Sequence, residues 1–293
     1  MTRPVLVFGS GGQLGRTILQ RSNEAAPLVG LTREQVDICD GAAVTAAVDS
    51  YEPSALVNCA AYTAVDRAEA QPEIAFAVNA AGARNVARAS ADARIPLVHI
   101  STDYVFGGTA DKPYTEDDPV NPLSVYGKSK YAGELAIKDS TSQHLIIRTS
   151  WLYSALGNNF FLSMLRMARQ NNHMQVVDDQ TGTPTYAAEL ALALIAILRN
   201  INEMDFAEWG TYHFAGLNVV TWHDFARAIF SEAASFHIPS PIIERVPSTA
   251  YPRPAPRPSY SALDSSKFRR LFDVSSRPLH EGIRCCLQEM DLR

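Results

Sequence analysis

A chain of 293 residues with 46% hydrophobic content is long enough to bury a large core in one or two domains. Its net charge of −5 and isoelectric point near 5.8 leave no basic surface to hold nucleic acid by phosphate neutralisation. A run of about 18 apolar residues, the requirement for a membrane-spanning helix, is absent from the sequence, and the apolar stretch Val5–Phe8 is too short for a signal peptide.

From the start of the chain, Arg3–Phe8 reads as a short buried strand, followed at once by the glycine turn Gly9-Ser-Gly-Gly12-Gln-Leu-Gly15. Helical periodicity then begins at Leu14, Ile18 and Leu19. Further apolar runs at Pro27–Leu31, Ala55–Asn58, Pro96–Ser101 and His144–Arg148 predict strands. Between them lie helical patterns at Gly12–Asn23, Asp40–Tyr51, Pro72–Ala93 and Pro122–Asp139. Asp40 suits an N-cap and Pro72 a helix start. Strands alternating with helices at this spacing indicate βαβ units, and their Val, Leu and Ile content suits a sheet covered on both faces. The expected fold is α/β, a Rossmann-type doubly wound parallel sheet over residues 1–150.

After Trp151 the rhythm changes. Helices are expected at Asn159–Asn171, Tyr186–Asn200, Thr221–Phe236, Ser265–Phe272 and Leu279–Leu292, with short strands at Met174–Val177, Thr211–Phe214 and Ile242–Val246. Residues 151–293 then form a smaller C-terminal α/β lobe for substrate, with the chain returning to the first domain around 180–215. Pro247–Pro258 reads as a rigid loop. The four cysteines, Cys39, Cys59, Cys285 and Cys286, lack metal-ligand spacing and point to a reduced, cytosolic chain.

Two patterns carry chemistry. Strand, glycine turn and helix in succession form a dinucleotide fingerprint, in which Gly9, Gly12 and Gly15 let pyrophosphate approach the helix N-terminus. Tyr126 and Lys130 stand four residues apart in a predicted helix, hence on one face and about 5–6 Å apart at Cβ. A nearby ammonium lowers a tyrosine pKa from its reference near about 10, so that the phenol can exchange a proton with a carbonyl or alcohol oxygen. The Thr102 hydroxyl, ending a predicted strand, can share that oxygen.

These residues resemble the extended short-chain dehydrogenase/reductases and, among them, the dTDP-4-dehydrorhamnose reductase family. The likeness runs through Gly9–Gly15, Asn58–Asp66, Ser101–Phe106, Tyr126–Lys130, Arg148–Trp151, Asp179–Thr185 and Arg257–Leu263. It implies reduction of the C4 ketone of dTDP-4-dehydro-6-deoxy-L-mannose to dTDP-L-rhamnose. By the same resemblance Tyr126 is the general acid, Lys130 lowers its pKa and bonds the nicotinamide ribose, Thr102 orients the carbonyl, and Asp103 sits beside the sugar. Gly12, Gln13 and Leu14 would cradle the pyrophosphate, Asp37 and Ile38 flank adenine, Ala61, Tyr62 and Thr63 line the cofactor, and Val65 and Trp151 contact the sugar nucleotide. Arg257 is a candidate for the diphosphate, because a guanidinium matches phosphate bidentately.

Three features refine the expectation. Binders of unphosphorylated cofactor place an acid at the end of the second strand. Leu31-Thr32-Arg33 stands there instead and favours the 2′-phosphate of NADPH, with Glu34 leaving NADH open. Some family members bind Mg²⁺ through glutamates at a homodimer interface. One such position is Thr17 here, so with only Glu189 and Glu289 remaining no metal is expected to be required. Sugar-nucleotide dehydratases carry Asp-Glu after the threonine, whereas Asp103-Tyr104 follows Thr102. That favours plain reduction over water removal. A reductase for another nucleotide deoxysugar, or a non-catalytic NADP-binding subunit like the β subunit of methionine adenosyltransferase, is the alternative.

Overall fold

The computed structural model describes residues 3–22, 27–201 and 206–291. The ends of two expected helices, at Asn23 and Leu292, lie outside them. Six strands make one all-parallel sheet: β1 (Val5–Phe8), β2 (Leu28–Leu31), β3 (Ala55–Asn58), β4 (Leu97–Thr102), β5 (His144–Thr149) and β10 (Gly210–His213). Their order is β10-β5-β4-β3-β1-β2, with Phe8 opposite both Leu31 and Asn58, and Thr102 opposite Thr149. The order reverses beside β1, and this crevice at the carboxyl ends is where ligands bind in such sheets.

Alternation along each strand splits the core into two layers. Val5, Val7, Val57, Val98, Leu145 and Ile147 face α1 (Gln13–Leu19) and α8 (Ala187–Asn200). Leu6, Phe8, Leu56, Leu97 and Ile146 face α2 (Gly41–Tyr51) and α5 (Ala83–Ala93). Asp40 caps α2 by accepting from the Ala42 and Ala43 amides. The expected helix Pro72–Ala93 is broken. It runs as α4 (Pro72–Phe76), a π-helical turn over Ala77–Gly82, then α5. A short helix that the sequence pattern does not signal, α3 (Val65–Ala70), precedes it. Ser124 caps α6 (Val125–Ser140) by accepting from the Gly127 amide at 3.1 Å.

The second lobe packs α7 (Phe160–Ala168), α9 (Trp222–Ala233) and α11 (Leu279–Asp291) around Tyr153, Phe161, Phe225 and Ile283. Here β7 (His173–Val177) pairs in parallel with β12 (Ile242–Val246). Two small ribbons pair β6 (Leu152–Tyr153) with β9 (Thr185–Tyr186) and β8 (Thr181–Gly182) with β11 (Val220–Thr221). Helix α10 (Ser266–Phe272) returns to pack Phe268 and Phe272 into the first lobe's core. Among the described residues no helix is long and apolar enough to cross a membrane.

Candidate active site

The glycine turn is tight because glycine is required in it. Gly9 has φ +74°, and a Cβ there would stand 2.5 Å from the Ala60 amide nitrogen. A Cβ on Gly15 would meet the Gly9 carbonyl oxygen at 2.4 Å, so α1 can rest on the turn only through glycine. Leu14 is buried in the core, which leaves its backbone as the part that can face a ligand. A groove of about 180 Å³ opens beside the turn, lined by Gly9, Gly12, Arg33, Asp37, Ile38 and Tyr62 among others. Ala61 also lines it, while Thr63 is exposed just beyond.

Arg33 at the groove edge is held by Asp37, Nε to Oδ2 at 3.2 Å, and Asp37 Oδ1 also accepts the Cys39 amide at 3.0 Å. The Thr32 amide is turned to the Gln35 side chain, and the Thr32 methyl lies across from Gly11. An exposed arginine and a threonine over the turn suit a phosphate on the adenosine ribose. Gln13 Nε2 is buried without a hydrogen-bond partner, an unmatched donor beside the turn that an anion would satisfy. The residues present therefore fit a phosphorylated dinucleotide.

Tyr126, Thr102 and Asp103 come together past the end of β4. The Thr102 hydroxyl lies against the Tyr126 phenol and bonds Asp103 Oδ1 at 3.1 Å. Burial pushes Tyr126 up to about 12, and the Thr102 contact only partly offsets that. Asp103 is almost fully buried, and burial pushes its carboxyl up to about 7 with Oδ2 unpartnered. Val65 packs in the small cluster around Tyr126.

Lys130 is anchored to β4. It lies on the same face of α6, yet its ammonium donates to the Ile100 carbonyl at 2.7 Å and lies 3.3 Å from His99 Nε2. Burial lowers its pKa to about 8, against a smaller opposing effect of Glu134. Glu134, one turn after Lys130, is fully buried, pairs bidentately with Arg148 at 2.9 and 2.7 Å, and accepts from Ser101 at 2.5 Å. The spacing Lys130–Glu134 is visible in the sequence; the pairing with Arg148 depends on α6 packing against β5.

Other residues take positions the patterns did not assign. Asn79 Oδ1 accepts the Tyr62 amide at 2.8 Å, while its Nδ2 donates to the Tyr62 carbonyl at 3.0 Å and to Ser129 Oγ at 2.9 Å. Ser129 in turn donates to the Tyr126 carbonyl at 2.8 Å. Asn79 thereby joins the cofactor loop to the Tyr126 helix. Trp151 has φ +44° and stacks on Trp222 at 3.5 Å and 4°. Its ring crowds Gly182, where a Cβ would stand 2.5 Å away. Arg257 is paired with Asp66.

Thr17 Oγ1 is turned to the Gln13 carbonyl at 2.8 Å, Glu189 is engaged by Arg277, and Glu289 pairs with Arg21. Among the described residues no group of three His, Cys, Asp or Glu side chains could hold a metal.

A parallel sheet with this glycine turn and a tyrosine–threonine pair beyond β4 defines a nicotinamide-dependent oxidoreductase of the extended short-chain type. A family profile described as RmlD substrate binding domain matches residues 2–292. The dTDP-4-dehydrorhamnose reductase of Salmonella typhimurium is 40% identical over 98% of this chain and 97% of its own. The crystal structure of the reductase of that name from Bacillus anthracis in complex with NADP superposes with TM-score 0.92 at 35% identity, covering 99% of this chain and all of that one. The Clostridium acetobutylicum structure gives 0.91 at 34% identity, over 98% and 99% of the two chains. The chain belongs to the dTDP-4-dehydrorhamnose reductase family.

Proposed function

We propose that this chain uses NADPH to reduce the C4 ketone of dTDP-4-dehydro-6-deoxy-L-mannose, giving dTDP-L-rhamnose. The observation that carries the reading is the contact of Thr102 with Tyr126 beyond β4, beside a groove fitted to a phosphorylated dinucleotide. Gly9, Gly12, Gln13 and Gly15 would hold the pyrophosphate, Thr32 and Arg33 the 2′-phosphate, and Asp37 and Ile38 the adenine side. When bound there, the dihydronicotinamide supplies hydride to C4.

The chain's own residues supply the proton and the placement. Burial keeps Tyr126 neutral through the physiological range, so it holds the proton that the developing C4 alkoxide takes. The tyrosinate left behind is reprotonated from solvent. Thr102 offers a second hydroxyl to the same oxygen. Lys130 keeps two of its donor directions on β4 and has a third for a ribose hydroxyl. The absence of a glutamate after Asp103 leaves no second acid–base pair for dehydration. Val65 and Trp151 line the sugar side. Cytoplasmic residence and a homodimer belong to the same proposal; sedimentation as a monomer would remove the dimer.

The test is NADPH consumption by the purified chain across a panel of nucleotide 4-keto-6-deoxyhexoses, with the product identified by stereochemistry at C4. Turnover of dTDP-4-dehydro-6-deoxy-L-mannose to dTDP-L-rhamnose is expected. NADP binding without turnover of any member would favour the regulatory-subunit reading, and preference for another sugar would reassign the substrate.

A further inference from the structure

Arg257 and Asp66 meet across the two lobes. Nη1 and Nη2 of Arg257 lie 3.0 Å from Oδ1 and Oδ2 of Asp66, the fork-to-fork geometry of a bidentate pair. Nη1 also reaches the Ala255 carbonyl at 3.1 Å, and the Ala255 amide donates back to Asp66 Oδ1 at 3.3 Å. The Tyr104 hydroxyl lies against the same guanidinium. The Tyr104 ring meets the Tyr126 ring edge-on, with centroids 5.7 Å apart. Asp66 sits in the first turn of α3, next to Val65.

The proline-rich loop bearing Arg257 is fastened again further on. Ser259 Oγ donates to the Gly108 carbonyl at 2.9 Å, and a Cβ on Gly108 would stand 2.7 Å from Pro258. Four prolines between residues 252 and 258 remove backbone freedom, so little ordering remains to be done when the loop docks. A preordered loop with two anchor points is suited to holding a geometry.

Resting on the reductase reading above, we infer that Arg257 and Asp66 form an inter-lobe clasp that positions Tyr104 and, through it, Tyr126. Arg257 is thereby committed to the clasp and not to the substrate diphosphate. A diphosphate at Arg257 would have to displace the Asp66 carboxylate and leave two anions facing one another in a partly buried place. Lysine cannot replace Arg257, because a point charge lacks the fork that engages both carboxylate oxygens and the Ala255 carbonyl together.

The experiment compares Asp66→Asn, Arg257→Gln, Arg257→Lys and the Asp66→Asn/Arg257→Gln double variant, all saturated with NADPH. Displacement of a catalytic group costs rate, so kcat should fall about tenfold in each single variant. The double variant should lose no more than about tenfold, since both changes open one clasp. KM for the sugar nucleotide and the affinity for dTDP should stay within about twofold. Arg257→Lys should behave like Arg257→Gln. The clasp is overturned if Arg257→Gln alone weakens dTDP binding while Asp66→Asn is near wild type, or if Tm falls with kcat unchanged. Hydrogen exchange on the NADPH-bound chain reads the clasp without turnover. The Ala255 amide should exchange faster, and equally so, in both single variants, and unchanged exchange there sinks the inference. A wild-type chain that does not consume NADPH would instead sink the functional reading.

Discussion

The Lys130 ammonium donates to the Ile100 carbonyl at 2.7 Å, which ties the helix of Tyr126 to the strand that ends in Thr102. His99, the neighbour of Ile100, completes the hold at 3.3 Å. Its own burial, with the Lys130 charge adding to it, keeps that imidazole neutral and able to accept. Lys130 thereby ties helix to strand, while burial raises the Tyr126 phenol.

Lys130 titrates within reach of ordinary buffers. Its pKa is lowered to about 8 by burial, so the ammonium is present below that pH and lost as pH rises through it. A neutral amine makes a weaker hydrogen bond to a ribose hydroxyl, by roughly fivefold in affinity. NADPH should bind less tightly at pH 9.5 than at pH 7. In Lys130→Met binding should be weak and flat over the same span. Fluorescence titration of NADPH decides it, and equal slopes in the two proteins would remove Lys130 from the ribose.

Tyr126→Phe keeps the ring that packs against Tyr104 and deletes only the proton donor. Turnover should slow by about 10²–10⁴ while NADPH affinity is unchanged. A Tyr126→Phe protein with wild-type kcat would mean that another group protonates the ketone oxygen.

Asp103 makes stability depend on pH with a definite sign. Its folded pKa, about 7, lies above the unfolded value near 3.8, so the folded chain holds that proton more tightly. The resulting stabilisation is fully present below about pH 3.8 and is lost as pH rises through about 7. Asp103→Asn removes the cost of burying a carboxylate. The variant should melt higher than wild type at pH 8, with the gap closing toward pH 5. Parallel melting curves at both pH values would show that the group stays ionised in the folded chain.

Most of the frame was legible because periodicity reports burial. Ala55–Asn58 is a strand with the bounds expected of it, and the strand expected over Arg3–Phe8 begins at Val5, since both faces of the sheet are covered. The break in Pro72–Ala93 was not legible. Nothing local at Asn79 interrupts helical spacing, and the π turn is defined by partners 17 and 50 residues away, Tyr62 and Ser129. Within the site, the glycine turn, Thr102 and Tyr126 were readable from residue type and order. The contacts of the Lys130 ammonium with His99 and Ile100 were not legible, because helix spacing fixes Cβ atoms and not where a four-carbon stem ends. Trp222 escaped notice because its stack on Trp151 joins residues 71 positions apart.

Gly133 tests how closely the Tyr126 helix must sit on that π turn. A Cβ at this position would lie 2.1 Å from the Asn79 carbonyl oxygen, a backbone atom that no rotamer change can move. Two effects of Gly133→Ala oppose one another. Helix propensity favours alanine by about 1 kcal/mol. Forcing a methyl into a closed backbone contact costs about 1–3 kcal/mol, and here the clash is severe enough for the cost to win. Separation of α6 from the turn would also pull Ser129 from Asn79, and with it the carbonyl of Tyr126. Gly133→Ala should therefore lower both Tm and kcat while leaving the glycine turn intact. A raised Tm, the outcome propensity alone predicts, would show that α6 and the π turn can move apart freely and that their close contact does not hold Tyr126 in place.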